Sequence, residues 1–262
     1  MKVQAGKGQP NERRHGLSDD GQPGFQPARL VGWYVFNTWL QRSLEMHFHC
    51  EMYNDFETQR TAIRADKVDL IYANPLDATM LVREKNFTPV ARAQGVTDEC
   101  IIAVAVGSPA QSVEDLKPQT RVAYTNDEHI NLIGMIMLES ADLGKDNIVP
   151  VVVDNYILIA KALITNTADI GFFPKDTWNE FSNAIRKELR PLVTSQISDI
   201  QHVLIAGPRL AALVPKLREQ LQNMVSVRNG ASVLESLGFQ GWEALTQEDT
   251  EFMIDLIDTL KA

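Results

Sequence analysis

The sequence predicts an α/β fold with parallel sheets, divided into two lobes. Apolar segments typical of buried strands alternate along the chain with longer segments of helical spacing, and this alternation is typical of strand–helix–strand units. Two extended segments, near 93–98 and 195–201, are predicted to cross between the lobes. The 262 residues are enough for two lobes of about 100–130 residues each.

The predicted organisation has three parts. Residues 1–27 are rich in Gly, Pro, Gln and Asn and have few apolar side chains. They therefore predict a disordered arm, either a native tail or a remnant of a tag or linker. Lobe 1 is predicted to comprise residues 28–94 and 199–262, and lobe 2 residues 95–198. The first lobe would then be built from both ends of the ordered chain.

Lobe 1 is predicted to begin with a short strand in ARLVGWY, residues 28–34, followed by a helix over residues 36–46. The alternating segment HFHCEMY predicts a second strand, and NDFETQRTAIRADK predicts a helix with a polar cap. VDLIYA predicts a buried strand, and Pro75 a helix start, because proline is favoured in the first turn. FTPVARAQ predicts a further strand, and the C-terminal segment is predicted to be helical.

Lobe 2 is predicted to begin with the strand ECIIAVAVG and a loop that ends in a short helix, SVEDLK. TRVAYT predicts a strand that leads into a helix over 126–142, and NIVPVVV a strand that leads into a helix over 155–166. ADIGFF predicts a strand followed by a helix over 174–183. Polar residues at these strand-to-helix junctions are the candidate functional residues.

Composition disfavours several classes of function. The formal net charge of −9 argues against a nucleic-acid groove or an anionic membrane surface as partner. No apolar run is long enough to predict insertion into a membrane. The N-terminus shows no signal peptide, so the chain as it stands is expected in the cytoplasm, or in the periplasm if a leader has been removed. Cys50 and Cys100 are expected to be reduced.

Four stretches, taken in order, resemble the type-2 periplasmic-binding-protein fold, and in particular the phosphate, phosphite and phosphonate branch of ABC-transporter substrate-binding proteins. They are FETQRTAIRADKVDLIYANPLDA, GVTDECIIAVAVGSPAQSVEDLKPQTRVAY, NYILIAKALITNTADIGFFPKDTW and NGASVLESLGFQGWEALTQEDTEFMIDLIDTLK. The resemblance covers about residues 28–262. It implies a hinge and an interlobe cleft, in which strand C-termini and helix N-termini meet a small ligand.

The resemblance also implies which residues contact the ligand. In lobe 1, Tyr72 matches the aromatic residue at the end of the third strand, and Asn74 the small polar residue before Pro75. Tyr34 is added because it ends the first predicted strand. The full predicted ligand-binding set is Tyr34, Tyr72, Asn74, Thr125, Asn126, Asp127, Asn155, Tyr156 and Lys175.

The lobe 2 positions depart from the family pattern. Asn126 and Asp127 fall where phosphonate binders place a hydroxyl pair, and Asn155 and Tyr156 where a Ser-His pair begins the next helix. Lys175 falls near the position of an acidic residue that receives the ligand's amine. The resemblance therefore implies the fold and the binding role, but with an altered anion-binding position.

The segment Asn126-Asp127-Glu128 allows two interpretations. If both carboxylates face the ligand, they repel a phosphonate, and the preferred ligand is neutral or carries a cationic group. If they only occupy the first turn, where acids complement the helix dipole, the position remains open to anions. The sequence does not decide between these interpretations.

Two further chemistries are open to this sequence. His47 and His49 share one face of a predicted strand with Glu51, which suits either a zinc or copper site or a solvated strand face, and no metal or cofactor is predicted. The chain lacks the common catalytic motifs, so it is not predicted to be an enzyme. Asp127 and Glu128, with the following His129, leave open a cleft enzyme of the cofactor-biosynthesis type as an alternative.

The sequence thus predicts a small-molecule-binding protein of the phosphonate or phosphate type. It would act in ABC-type uptake, with a permease as partner, or as a soluble ligand sensor with a signalling partner. Neither nucleic acid nor membrane insertion is predicted.

Overall fold

The computed structural model describes residues 16–19, 27–53, 56–96, 98–197 and 200–261. Its strands are β1 (Gly16–Asp19), β2 (His49–Met52), β3 (Val68–Ala73), β4 (Thr88–Gln94), β5 (Cys100–Ala105), β6 (Arg121–Tyr124), β7 (Val149–Val152), β8 (Ile170–Pro174), β9 (Leu189–Thr194), β10 (Val203–Ala206) and β11 (Gly241–Ala244). Its α-helices are α1 (Pro27–Leu44), α2 (Phe56–Arg64), α3 (Pro75–Lys85), α4 (Glu128–Leu138), α5 (Tyr156–Ile164), α6 (Lys175–Glu180), α7 (Asn183–Glu188), α8 (Val214–Gln222), α9 (Gly230–Leu237) and α10 (Gln247–Lys261).

The chain divides into two compact units. Unit 1 is Met1–Val96 with Gln201–Ile257, and unit 2 is Thr97–Ile200 with Asp258–Ala262. Unit 1 contains a six-stranded sheet of order β11-β4-β10-β3-β1-β2, and unit 2 a five-stranded sheet of order β7-β6-β8-β5-β9. The α/β class predicted from the sequence is confirmed.

Both sheets are mixed rather than parallel throughout. In unit 1, β1 pairs in parallel with β2 and β3, whereas β10 is antiparallel to both of its neighbours. In unit 2, β6 is parallel to β7 and β8, whereas β5 is antiparallel to β8 and β9. The antiparallel strands β5 and β10 are the first strands after the chain passes from one unit to the other. Two parallel strands need a crossover connection between them, usually a helix. Because β5 and β10 enter their sheets directly from the other unit, no such connection makes them parallel to a preceding strand.

Strand β1 corrects the prediction of a disordered arm for four of its residues. Gly16–Asp19 lies between β2 and β3 and pairs with both. A strand in this place gains backbone hydrogen bonds on both edges, and these do not depend on the apolar content of its own sequence. The rest of the predicted arm, residues 1–15 and 20–26, lies outside the described residues.

Helix α1 replaces the strand and shorter helix predicted at residues 28–46. The strand prediction for ARLVGWY is wrong, because a short apolar run does not distinguish a strand from one turn of a buried helix. Tyr34 is therefore a mid-helix residue, 53% exposed. The buried face of the helix recurs with helical spacing, at Trp33, Phe36, Leu40 and Leu44.

The sheet of unit 2 is covered on both faces. Alternate residues of β5 belong to two hydrophobic clusters: Ile101 and Ala103 pack with residues of α5, and Cys100, Ile102 and Val104 with residues of α4. This arrangement places the start of α4 and the start of α5 at the carboxyl end of the parallel strands, above opposite faces of one sheet.

Two glycines set the distance of these helices from β8. A Cβ atom on Gly134 of α4 would lie 2.6 Å from the Phe172 ring, and one on Gly171 would lie 2.4 Å from the Ile159 side chain of α5. Glycine at both positions thus allows the close packing that fixes the two helix starts above the sheet.

Other sequence predictions have mixed outcomes. The helix predicted over 174–183 is the shorter helix α6, and a second short helix, α7, begins at Asn183. The C-terminal segment contains a strand, β11, that was not predicted. Cys50 and Cys100 are free and buried, and burial raises the pKa of the Cys100 thiol. Within the described residues, none of the helices combines the length and apolar character needed to cross a bilayer.

Candidate functional site

Helix α4 is capped by the side chain of its own N-cap residue, Asp127. Asp127 has an extended backbone, with φ −73° and ψ 93°, and its Oδ1 accepts a hydrogen bond from the Ile130 amide at 3.3 Å. Its own backbone N–H donates to Thr125 Oγ1 at 3.2 Å. The carboxylate therefore occupies the helix end where free N–H groups and the helix dipole would otherwise attract an external anion.

A second helix start contributes the other partner of this carboxylate. Tyr156 is the first residue of α5, and its hydroxyl donates to Asp127 Oδ2 at 2.7 Å. Both residues are buried, with 2% and 3% exposure. Burial, together with the charge and hydrogen bond of Asp127, raises the pKa of the Tyr156 phenol well above its usual value near 10. The phenol thus stays protonated and ties the start of α5 to the start of α4.

Further polar residues lie near this pair in sequence. Thr125 and His129 are 1% and 2% exposed. The side chain of Asn131 donates through Nδ2 to the Thr125 carbonyl at 2.8 Å, which fixes the turn between β6 and α4. Sequence reasoning missed Asn131, because its place one turn into the helix shows no sign of a contact back to the strand end.

Asn126 and Glu128 differ from Asp127 in exposure. Both are exposed, on either side of the buried carboxylate. At the start of α5, Asn155 is half-buried and caps the helix, because its Oδ1 accepts from the Leu158 amide at 3.0 Å. The carboxylates of Asp127 and Glu128, which are adjacent in sequence, therefore have different environments: the first is buried and the second is exposed.

Lys175 has an acidic partner. It begins α6, and its Nζ forms an ion pair with Glu99 Oε2, while its backbone N–H donates to the Glu99 carbonyl at 2.8 Å. Glu99 immediately precedes β5 and has a side chain only 13% exposed. Sequence reasoning predicted Lys175 but not Glu99, which lies 76 residues away along the chain.

In unit 1, Asn74 also caps a helix. Its Oδ1 accepts from the Asp77 amide at 2.9 Å, and its Nδ2 donates to Asp77 Oδ2 at 2.8 Å. The buried Asp77 carboxylate is in turn paired with Arg60, at 2.7 Å. Asn74 is itself 4% exposed, so its side chain is committed to the start of α3.

Tyr72 belongs to an aromatic cluster of unit 1. It is 8% exposed, its ring centroid lies 5.1 Å from that of Trp33, and His202 stacks on it at 5.4 Å. The contact with His202, which was not predicted, joins β3 to the segment that leads into β10. Tyr34, by contrast, lies on the exposed face of α1.

Seven of the nine predicted residues fall in two local groups, each described within its own unit, and Tyr34 and Lys175 are not part of either. Unit 2 brings Thr125, Asp127 and Tyr156 into direct contact, with Asn126 and Asn155 adjacent in sequence to them. Unit 1 places Tyr72 and Asn74 at the end of β3. The prediction that one ligand touches both groups stays a prediction.

The described residues contain no group of three or more His, Cys, Asp or Glu side chains suited to hold a metal ion. His49 and Glu51 point to the exposed side of β2, whereas Cys50 between them is buried. The alternation of exposed and buried side chains that was predicted for this strand is therefore confirmed.

Comparisons with known proteins agree with this architecture. The family model of the phosphonate periplasmic substrate-binding protein of ABC transporters matches residues 22–250. PhnD1 from Prochlorococcus marinus, solved in complex with methylphosphonate, superposes with a TM-score of 0.78 at 12% identity, over 94% of this chain and 98% of that one. Comparison with curated proteins gives no significant match.

Two other solved structures share the fold. XAC2383 from Xanthomonas citri, bound to ATP, has a TM-score of 0.74 at 14% identity, over 95% of this chain and 98% of that one. The periplasmic aliphatic sulphonate-binding protein SsuA from Escherichia coli has a TM-score of 0.64 at 14% identity, over 95% and 88%. At these identities the likeness concerns the fold alone.

The family match and the fold identify a solute-binding protein of the type-2 periplasmic-binding-protein class. More particularly, the chain belongs to the phosphonate substrate-binding family of ABC transporters. This family is normally periplasmic, and membership implies a small-molecule ligand and a permease as partner. The family is one of binding proteins, so the alternative of a cleft enzyme gains no support.

Proposed function

We propose that this chain is the periplasmic solute-binding component of an ABC uptake system, and that the ligand group facing the start of α4 is neutral or cationic. The observation that carries this proposal is the buried Asp127 carboxylate, which caps α4 and accepts the hydrogen bond of Tyr156. Delivery to a permease is proposed rather than signalling, because the matching family consists of transporter components.

Electrostatic repulsion supports the choice of ligand class. The helix start of a phosphonate-binding site offers amide hydrogens to the anion. Here the Ile130 amide is already bonded to Asp127. A phosphonate placed about 4 Å from the Asp127 charge would meet a repulsion of about 4 kcal/mol per unit charge at an effective dielectric constant of 20. This repulsion corresponds to roughly a thousandfold loss of affinity, since about 1.4 kcal/mol is a factor of ten.

The exposed neighbours favour a ligand that donates hydrogen bonds. Asn126 and Glu128 flank the buried carboxylate and present amide and carboxylate groups to solvent. Lys175, the cationic member of the predicted set, is paired with Glu99, so its charge is balanced locally. Ammonium, amide or hydroxyl groups of a ligand therefore suit this part of unit 2 better than a dianion does.

Native mass spectrometry and calorimetric titration test the proposal. Freshly purified protein is examined by native mass spectrometry for a retained small molecule, and the same preparation is titrated with inorganic phosphate, methylphosphonate and aminoethylphosphonate. We expect the retained molecule to be neutral or cationic, and dissociation constants of about 1 mM or weaker for all three anions. Micromolar binding of methylphosphonate by the wild-type chain would overturn the proposal and return the chain to phosphonate uptake.

A further inference from the structure

Helix α1 exposes an unusual face to solvent. Val31, Tyr34 and Val35 are 60%, 53% and 40% exposed, and Thr38 and Arg42 continue the same face along the helix. The spacing of these residues places them in one stripe. Clustered exposed apolar residues often mark interaction sites, whereas single ones are ordinary.

The turn between α8 and α9 forms a second wall beside this stripe. Asn229 has a left-handed backbone, with φ 64°, and a Cβ atom on Gly230 would lie 1.7 Å from the Met224 carbonyl oxygen. The turn is therefore closely packed at its base. Val227 and Arg228 stand exposed at its outer side.

A groove of about 650 Å³ lies between the two walls. This volume falls within the range of about 300–1,000 Å³ that is typical of small-molecule sites. The most buried of its lining residues are Trp39 and Val233, at 7% and 4% exposure. Val35 and Val227 line its apolar sides.

The charge of the groove is opposite to that of the protein. Arg42 and Arg228 line it, and none of its described lining residues carries a carboxylate, although the chain as a whole carries −9. Neither guanidinium group has a hydrogen-bond or ion-pair partner among the residues that the structure describes. Arginines elsewhere do pair, as Arg121 does with Asp169 at 2.6 Å. A guanidinium group binds carboxylate, sulfonate or phosphate oxygens with two parallel hydrogen bonds.

We propose that this groove, named the α1 groove and lined by Val35, Trp39, Arg42, Val227, Arg228 and Val233, is a second binding site for a small organic anion with an apolar body. The arginines hold the anionic group, and the aromatic and valine side chains contact the apolar part. The site lies wholly within unit 1 and shares no residue with the start of α4, so it does not depend on the proposed transport ligand.

Calorimetric titration with naphthaleneacetate tests this proposal, with the neutral naphthaleneacetamide as matched ligand. Wild-type protein is expected to bind one equivalent of naphthaleneacetate, and the amide at least tenfold more weakly. The variant R42Q/R228Q is expected to lose at least tenfold in affinity for naphthaleneacetate. The control R186Q/K187Q removes the same charge from two exposed residues of α7 in unit 2 and is expected to stay within twofold of wild type.

All four substituted residues are exposed, so each variant should fold, and a thermal melt of each confirms this. Absence of saturable binding by the wild type, or equal binding by R42Q/R228Q and wild type, would refute the α1 groove as an anion site. A loss confined to an Asp127→Ser variant would place the probe at the start of α4 instead, which also refutes the proposal.

Discussion

The starts of α3 and α4 each follow a strand, one in each unit, yet the residues that cap the two helices differ in charge. At α3 the cap is the neutral Asn74, and the nearby carboxylate of Asp77 is paired with Arg60. At α4 the cap is itself a carboxylate, Asp127, and the hydrogen bonds described for it come from the Ile130 amide and the Tyr156 phenol, both neutral donors.

The comparison shows that the same capping geometry has two electrostatic outcomes. An ion pair with Arg60 lies beside the cap of α3, whereas the described hydrogen bonds to the cap of α4 come from neutral donors, and the helix dipole favours its negative charge. We expect the charge of Asp127 to act on a ligand group placed at the start of α4. Replacing either cap separates the structural role of the residue from its effect on ligand choice.

The largest effect on stability is expected from Asp127→Ala. This change removes the N-cap and leaves the buried Tyr156 hydroxyl without its acceptor, so we expect the free energy of unfolding to fall by about 3 kcal/mol. Asn74→Ala is expected to cost only about 1 kcal/mol, because Asp77 keeps its ion pair with Arg60. Urea denaturation of both variants measures the difference, and equal losses would contradict the contrast between the two helix starts.

A smaller, pH-dependent effect on the free energy of unfolding is expected from Tyr156→Phe. At neutral pH the lost hydrogen bond to a carboxylate should lower the free energy of unfolding by about 2 kcal/mol. The raised pKa of Tyr156 means that its stabilising effect is complete below about pH 10 and is lost as pH rises through the folded-state pKa. Wild type should therefore lose stability above pH 10 by up to about 1.4 kcal/mol per pH unit more than the variant.

Urea denaturation between pH 7 and pH 11.5 checks this expectation. Tyr53, whose pKa is raised to about 12, contributes equally to both proteins. Tyr34→Phe serves as the control, because Tyr34 is 53% exposed. Parallel stability curves for wild type and Tyr156→Phe would mean that the fold does not raise the pKa of the Tyr156 phenol.

Much of the fold followed from the sequence, because its signals are local. The buried strand VDLIYA with Pro75 behind it, and TRVAYT with a polar junction behind it, predicted the strands and helices that the structure contains. Strand β1 was missed because its place in the sheet follows from backbone pairing with two neighbours, which its own sequence does not reveal. Helix α1 was misjudged because seven residues do not reveal a helical period.

The candidate site was predictable in position but not in electrostatics. The sequence placed Asp127 and Glu128 together in the first turn, yet only the cap geometry separates the buried carboxylate from the exposed one. The partner of Asp127 is a residue 29 positions away, on a helix that covers the other face of the sheet. Such a contact depends on tertiary packing, which leaves no periodic signal in the sequence.

The binding of methylphosphonate to an Asp127→Asn variant tests the central claim most directly. Asparagine retains the shape of the cap and a side-chain oxygen for the Ile130 amide, but it removes the charge. Glu128→Gln, which removes the exposed charge next to it, is the matched control. Calorimetry is predicted to show at least tenfold tighter binding of methylphosphonate by Asp127→Asn than by wild type, and little change for Glu128→Gln. Equal affinities for wild type and Asp127→Asn would contradict the claim that the buried carboxylate sets the ligand class.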